Sequence, residues 1–109
     1  MQALRLAKAA VAAHMFDALP EGAHQFALMP YMHAEDREVQ RAGEEVEWPK
    51  LSSFHTGGLA GFVRDHRAMV DRFGRFPYRN EALGRASTPA ELEYLAGDLP
   101  VFAQSKPKA

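Results

Sequence analysis

The chain has 109 residues, a formal net charge of −1 and no cysteine, and 47% of its residues are hydrophobic and 25% charged. These values predict one soluble globular domain over residues 1–103, which we expect in the cytoplasm, and they exclude disulfides and cysteine-based metal sites. They also predict no binding to nucleic acid and no membrane insertion, because the chain lacks a global positive charge and an apolar run of roughly 20 residues.

The first half of the chain predicts two helices joined by an apolar segment. Apolar residues and many alanines recur at three- and four-residue spacing over residues 2–19, which indicates a helix. The apolar segment 23–32 follows, and Pro30 predicts a break or kink within it. A polar helix is expected over residues 36–45. The glycines, serines and proline of residues 43–58 are typical of a connection.

Residues 59–73 carry the clearest helical pattern. One apolar stripe at helical spacing consists of Leu59, Phe62, Val63, His66, Met69, Val70 and Phe73. We therefore expect a central core helix whose stripe is mostly buried, with Arg64 and Asp71 exposed on the other side. Gly74 is a natural C-terminal cap for this helix.

The remaining third of the chain predicts short helical elements. A helical turn is expected over residues 78–84, and the sequence Thr-Pro-Ala-Glu at 88–91 is a strong helix start with a capping box. Leu92 is expected to face inward and Gly97 to end that helix. The polar tail 104–109 is predicted to be disordered. Because no strand-like alternation occurs, the predicted fold class is all-α with four or five helices.

Residues 72–85 contain four arginines and no lysine, an unusual concentration of guanidinium groups. A guanidinium offers a planar fork of donors that suits carboxylates and phosphates. One interpretation is a pocket that binds a small anion or a carboxylate. The predicted ligand-binding residues are Arg75, Arg79, Asn80, His33 and Glu35.

The second interpretation is structural, because the same arginines could tie helix ends to the protein's own carboxylates. The candidate partners are Glu35, Asp36 and Glu91. We expect Arg75, which directly follows a helix cap, to turn back toward Glu35 and Asp36. Arg79 lies beyond a proline and is the better candidate for contact with a ligand.

Two histidines are candidates for chemistry. His66 lies on the apolar stripe, where it is either a core histidine with a satisfied hydrogen bond or a general acid/base that faces a cleft. His33 precedes Glu35 and Asp36, and Asp36 is expected to cap the following helix. A metal site would combine His33, Glu35 and His66. We predict no metal and no cofactor, because a His-x-Glu pattern does not suit one helix face and no phosphate-binding loop is present.

The chain resembles a family of bacterial proteins known as domain of unknown function 924, which is all-helical with a tetratricopeptide-like architecture. The segments that carry the resemblance span most of residues 23–95. They are FALMPYMHAED at 26–36, Gln40, His66, RFGRFPYRN at 72–80, LGR at 83–85 and STPAE at 87–91. The resemblance implies a fold, since the family has no established activity.

The chain departs from the family pattern in two ways. Many relatives have histidine where this chain has Tyr78, which argues against a histidine-based mechanism at that position. The family is usually longer, so this chain resembles its C-terminal half only. That difference implies a fragment, a truncated gene product or a lineage that replaces the lost half by self-association.

Three functional hypotheses follow. The first is a helical binding module for a small anionic ligand. The second is an enzyme of unknown reaction that uses His66 or His33 as acid/base, with arginines stabilising charge. The third is a purely structural arginine motif. We also expect a homodimer with Leu4, Val11 and Met15 near the interface, because an alanine-rich apolar helix needs a surface to cover it.

Overall fold

The computed structural model describes residues 2–15, 17–97, 99–100 and 103, so the predicted disordered tail lies outside the described residues. The all-α prediction is confirmed, because no strand occurs among the described residues. The α-helices are α1 (Gln2–Ala12), α2 (Glu21–Ala27), α3 (Met29–Met32), α4 (Arg37–Ala42), α5 (Ser52–Thr56), α6 (Leu59–Phe73) and α7 (Pro89–Leu95). A π-helix (Gly43–Glu47) and two 3-10 turns (Trp48–Lys50, Pro77–Arg79) complete the helical elements. None of the described helices is long and apolar enough to cross a membrane.

The first helix ends at Ala12, several residues before the predicted end at residue 19. Its C-terminus is closed by a pair of backbone hydrogen bonds, from the Met15 amide to the Ala10 carbonyl and from the His14 amide to the Val11 carbonyl. This pair defines a Schellman motif. His14 occupies the left-handed position with φ of 59°, where glycine is more usual. The sequence signal for this end was therefore absent.

A break separates the short helices α2 and α3, but it lies at Leu28, and Pro30 is the second residue of α3. The next helix, α4, begins as expected, because the Asp36 side chain accepts a hydrogen bond from the Val39 amide at 3.0 Å. The buried side-chain amide of Gln40 donates through Nε2 to the backbone carbonyls of Met32 and Ala34, at 2.6 and 2.9 Å. These bonds attach α4 to the turn that carries His33.

Helix α6 is the central element, as predicted, because it contributes to both hydrophobic clusters. The first cluster consists of Ala7, Leu28, Tyr31, Met32, Ala34, Val39, Trp48, Leu51 and Val63. The second cluster consists of Met69, Val70, Phe76 and Ala103. The predicted exposure of Arg64 and Asp71 is confirmed.

Two apolar side chains lie outside the core against expectation. Phe62 is 51% exposed, although it falls on the predicted buried stripe of α6. Leu92 is 58% exposed, although it was expected to face inward from α7. Helical periodicity identifies a face, but burial also requires a neighbouring element to cover it. No described element covers these two positions fully.

The acidic middle of the chain packs against α6. Glu44 and Glu45, in the π-helix, accept hydrogen bonds from Nη1 of Arg67 at 2.9 and 2.8 Å. Residues 43–58 were predicted to be a connection, but the structure forms a π-helix at Gly43–Glu47, which this contact holds against α6. It also brings the acidic and basic segments of the chain together.

Replacing a buried phenylalanine and an exposed one tests this assignment of the core. Phe76 is fully buried, so we expect Phe76→Ala to lower the free energy of unfolding by about 3–5 kcal/mol. Phe62→Ala removes the same side chain from a half-exposed position and should cost less than about 1 kcal/mol. Urea unfolding of both variants measures the difference, and equal losses would contradict the assignment.

Candidate functional site

The arginine-rich segment forms two ion pairs with carboxylates from other parts of the chain. The first pair joins Arg75 to Glu91 of α7. Nε and Nη2 of Arg75 donate to the two Glu91 carboxylate oxygens at 2.8 and 2.7 Å. Glu91 is only 2% exposed, and its carboxylate also accepts a hydrogen bond from the Thr88 amide at 2.8 Å. Hydrogen bonds from Arg75 and Thr88 lower the pKa of Glu91 to about 2.

The same glutamate completes the predicted capping box of α7. The Glu91 amide donates to Oγ1 of Thr88 at 3.1 Å, and the Glu91 side chain returns to the Thr88 amide. One buried carboxylate therefore both caps a helix and holds a guanidinium. The expected partner of Arg75 was the segment around Glu35 and Asp36, and the structure pairs Arg75 with Glu91 instead.

The second pair joins Arg85 to Glu35. Nη1 and Nη2 of Arg85 donate to the two Glu35 oxygens at 2.8 and 2.9 Å. The Phe76 amide donates to the same carboxylate at 2.7 Å, and Arg85 also donates to the Phe76 carbonyl at 3.2 Å. The hydrogen bonds from Arg85 hold the pKa of Glu35 below its usual value, against the opposing effect of burial.

Asn80 connects the two pairs. Its Nδ2 donates to Oε1 of Glu91 at 3.3 Å and to Oγ of Ser87 at 3.0 Å, and its Oδ1 accepts from Nε of Arg85 at 3.0 Å. The side chain is 1% exposed. We call Arg75, Glu91, Asn80, Arg85 and Glu35 the arginine–carboxylate network. Asn80 contributes donors and an acceptor where both are needed.

This network bears on the predicted ligand-binding residues. The heads of Arg75, Asn80 and Glu35 are engaged with other parts of the protein, in the arrangement that the structural interpretation describes. Arg85 is a central member that the sequence reasoning did not select. Its signal was the Leu-Gly-Arg sequence at 83–85, which was used only for the family resemblance.

Arg79 lies outside the network. Its Nη1 donates to the His33 carbonyl at 3.1 Å, and its guanidinium carbon lies 4.5 Å from the ring centre of Phe76. The same guanidinium carbon lies 5.8 Å from the ring centre of Tyr78. None of the described carboxylates forms an ion pair with Arg79. The arginine is therefore held by a carbonyl and by cation–π contact.

The two candidate histidines lie together beside Arg79. The ring centres of His33 and His66 are 5.8 Å apart, and His66 lies edge-on to Phe76 at 5.7 Å. His33 is exposed, whereas His66 is 3% exposed with Nδ1 2.7 Å from the Phe62 carbonyl oxygen. Partial desolvation and the charge of Arg79 lower the pKa of His33. Burial, aided by His33 and Arg79, lowers the pKa of His66.

The residues that the metal hypothesis named do not form a metal site. Among the parts of the chain that the structure describes, no group of three or more His, Asp or Glu is arranged to hold a metal ion. His33 and His66 are neighbours, but both oxygens of Glu35 are bound by Arg85. The site therefore consists of a cation, two imidazoles and aromatic rings.

An apolar cavity of about 400 Å³ opens beside His33. Its other lining residues are Ala3, Phe26, Ala27, Met29 and Pro30. Residues of α1, α2 and α3 line this open cavity, so it lies on the side of the His33 turn that faces the N-terminal helix. The polar site and the apolar cavity share His33.

Comparison with known proteins identifies the family. The sequence model of the bacterial proteins of unknown function DUF924 matches residues 1–98. The chain belongs to this family. The match covers most of the chain, including α1, which lies outside the span that carried the resemblance. No curated protein and no solved structure matches the chain. Membership of a family of unknown function assigns no activity to the chain.

The buried carboxylate of Glu91 yields a test of the network. Glu91→Gln removes the charge that Arg75 binds, and we expect a loss of about 3 kcal/mol in unfolding free energy at neutral pH. Because the folded pKa of Glu91 is about 2 and its ordinary value is 4.5, its contribution is complete above pH 4.5 and is lost as pH falls toward 2. The variant should lack that part of the acid sensitivity.

Urea unfolding at several pH values measures both effects. Glu93→Gln is the matched control, because Glu93 lies on the same helix with its side chain exposed. The control should unfold like the parent chain. A loss below 1 kcal/mol for Glu91→Gln would show that the network contributes little to stability.

Proposed function

We propose that this DUF924 chain is a binding module that recognises a small anion, and that Arg79 supplies the contact. The observation that carries the proposal is the environment of Arg79, whose guanidinium contacts a carbonyl and aromatic faces while Arg75 and Arg85 are paired with carboxylates. A guanidinium without an ion-pair partner retains donors for a carboxylate or phosphate. His33 is the proposed second contact.

The network supports this proposal by holding Arg79 in position. Asn80, the next residue, is buried in the network, and the amide of Phe76 is bound to Glu35. The segment between them is therefore anchored at both ends. A preorganised cation loses less conformational entropy on binding than a flexible one. In this reading Arg75, Asn80 and Glu35 act through position, and Arg79 makes the contact.

An enzymatic function is the alternative with less support. His66 has the lowered pKa that favours a neutral imidazole, but it is 3% exposed and its Nδ1 contacts the Phe62 carbonyl oxygen. A general base needs a reacting proton within hydrogen-bond reach. His33 is the more accessible of the two, so we assign it to ligand contact.

Three broader proposals accompany this function. We propose a tetratricopeptide-like packing of the helices, as the family resemblance implies, and a cytoplasmic location. We also propose that the ligand-free chain is a homodimer. Of the residues expected near the interface, Leu4 and Val11 pack against the first core cluster, whereas Met15 is 66% exposed. Met15 and the exposed Leu6 are now the proposed interface residues.

Arg79→Lys tests the binding proposal. Inorganic phosphate and succinate should raise the melting temperature of the parent chain, and the variant should keep its stability but lose most of that rise. Lysine keeps the charge but not the fork of donors. Arg64→Lys is the control, because the Arg64 side chain is 70% exposed, on the face of α6 opposite its apolar stripe. A variant that still responds fully to both anions would contradict the role of Arg79.

Light scattering at micromolar concentration tests the dimer. We expect a mass of two chains for the parent and a shift toward the monomer for Leu6→Ser, because the substitution removes an exposed apolar side chain from the proposed interface. Leu83→Ser is the control, since Leu83 is similarly exposed but lies in the turn after Pro77–Arg79 and not on α1. A stable monomer of the parent chain would exclude the dimer.

A further inference from the structure

A second cavity continues the one beside His33 along the outside of α1. Its volume is about 470 Å³, and it shares Ala3, Ala27 and Pro30 with the first. Its remaining lining residues are Leu6, Ala7, Ala9, Ala10 and Met15. The two cavities therefore form one groove, which runs from His33 along α1 to Met15. We call it the α1 groove.

The α1 groove is apolar throughout, apart from His33 at one end. The alanines of α1 and Ala27 line the groove, and their methyl groups are too small to fill the space between the helices. Leu6, Met15 and Phe26 stand on its sides and are 62%, 66% and 79% exposed. Large apolar side chains around an open apolar groove mark a place where an apolar partner binds.

A guanidinium is attached to the His33 end of this groove. Arg79 donates to the carbonyl of His33, and His33 lines the groove. The charge of Arg79 also helps to lower the pKa of the His33 imidazole, after the larger effect of burial. Among the residues that the structure describes, no charged side chain lines either cavity. His33 therefore lies between the Arg79 guanidinium and the α1 groove.

We propose that the anion recognised at Arg79 is the carboxylate of a free medium-chain alkyl acid, whose tail lies in the α1 groove. This inference rests on the function proposed above and names its ligand class. A small dicarboxylate can pair one carboxylate with Arg79 but leaves the α1 groove empty, whereas an alkyl carboxylate uses both Arg79 and the groove. The dimer proposed for the ligand-free chain uses the same face, so the tail and a second copy compete for it.

Calorimetric titration with a series from butanoate to decanoate tests the inference, with each acid below its micellar concentration. Full burial of a CH₂ group contributes about 0.8 kcal/mol, roughly a 4-fold change in affinity. In an open groove we expect about half that free energy, or roughly a 2-fold gain for each added CH₂ group. Decanol, which has the same tail without a charge, should bind more weakly than decanoate.

Two variants separate the head from the tail. Arg79→Gln should abolish the preference for decanoate over decanol. Ala3→Leu places a larger side chain where the two cavities meet, so it should remove the dependence on chain length. Ala12→Leu is the control, because Ala12 is exposed on α1 outside the groove and should leave binding unchanged. Thermal unfolding confirms that each variant is folded.

The outcomes distinguish this inference from the proposed function. If phosphate and succinate still act through Arg79 but affinity does not rise with chain length, the inference is wrong and the proposed function stands. Equal binding of decanol and decanoate, or unchanged decanoate binding in Ala3→Leu, also overturns the inference. If Arg79→Gln changes the binding of none of these anions, both proposals fail.

Discussion

The buried carboxylate of Glu91 is the interaction on which the C-terminal half of the structure depends. It accepts hydrogen bonds from Arg75, Thr88 and Asn80, and so joins α7 to the end of α6 and to the turn after it. A buried carboxylate is stable only when its charge and its lone pairs are satisfied. The three donors meet that requirement together, two from the arginine-rich segment and one from the start of α7. The carboxylate therefore specifies the relative position of those segments.

The network also accounts for the different roles of neighbouring residues in the arginine-rich segment. Asn80 is buried among polar partners, whereas the adjacent Arg79 extends over the ring of Phe76 toward His33. The short 3-10 turn Pro77–Arg79 directs successive side chains to different sides. One segment can therefore provide both a structural anchor and a binding contact. In the proposed function, the concentration of arginines in the sequence serves both uses.

The sequence predicted the features that depend on local chemistry and missed those that depend on distant partners. The caps at Asp36, Gly74 and Thr88 were correct because each involves residues within four positions along the chain. The pairing of Glu35 with Arg85 spans 50 residues, and the Leu-Gly-Arg sequence marked Arg85 without indicating its partner. The exposure of Phe62 was missed for a related reason, since periodicity does not show which neighbours cover a face. The α1 groove likewise follows from how three helices pack.

His33 links the polar half of the molecule to the apolar half. Its carbonyl accepts a hydrogen bond from Arg79, its ring lies beside His66, and it lines the α1 groove. The turn that carries it is held on one side by Gln40, which bonds to the carbonyls of Met32 and Ala34. It is held on the other side by Glu35 in the network. Polar contacts on both sides therefore fix the position of His33 between Arg79 and the groove, and this spacing is the one that the proposed alkyl carboxylate would have to match.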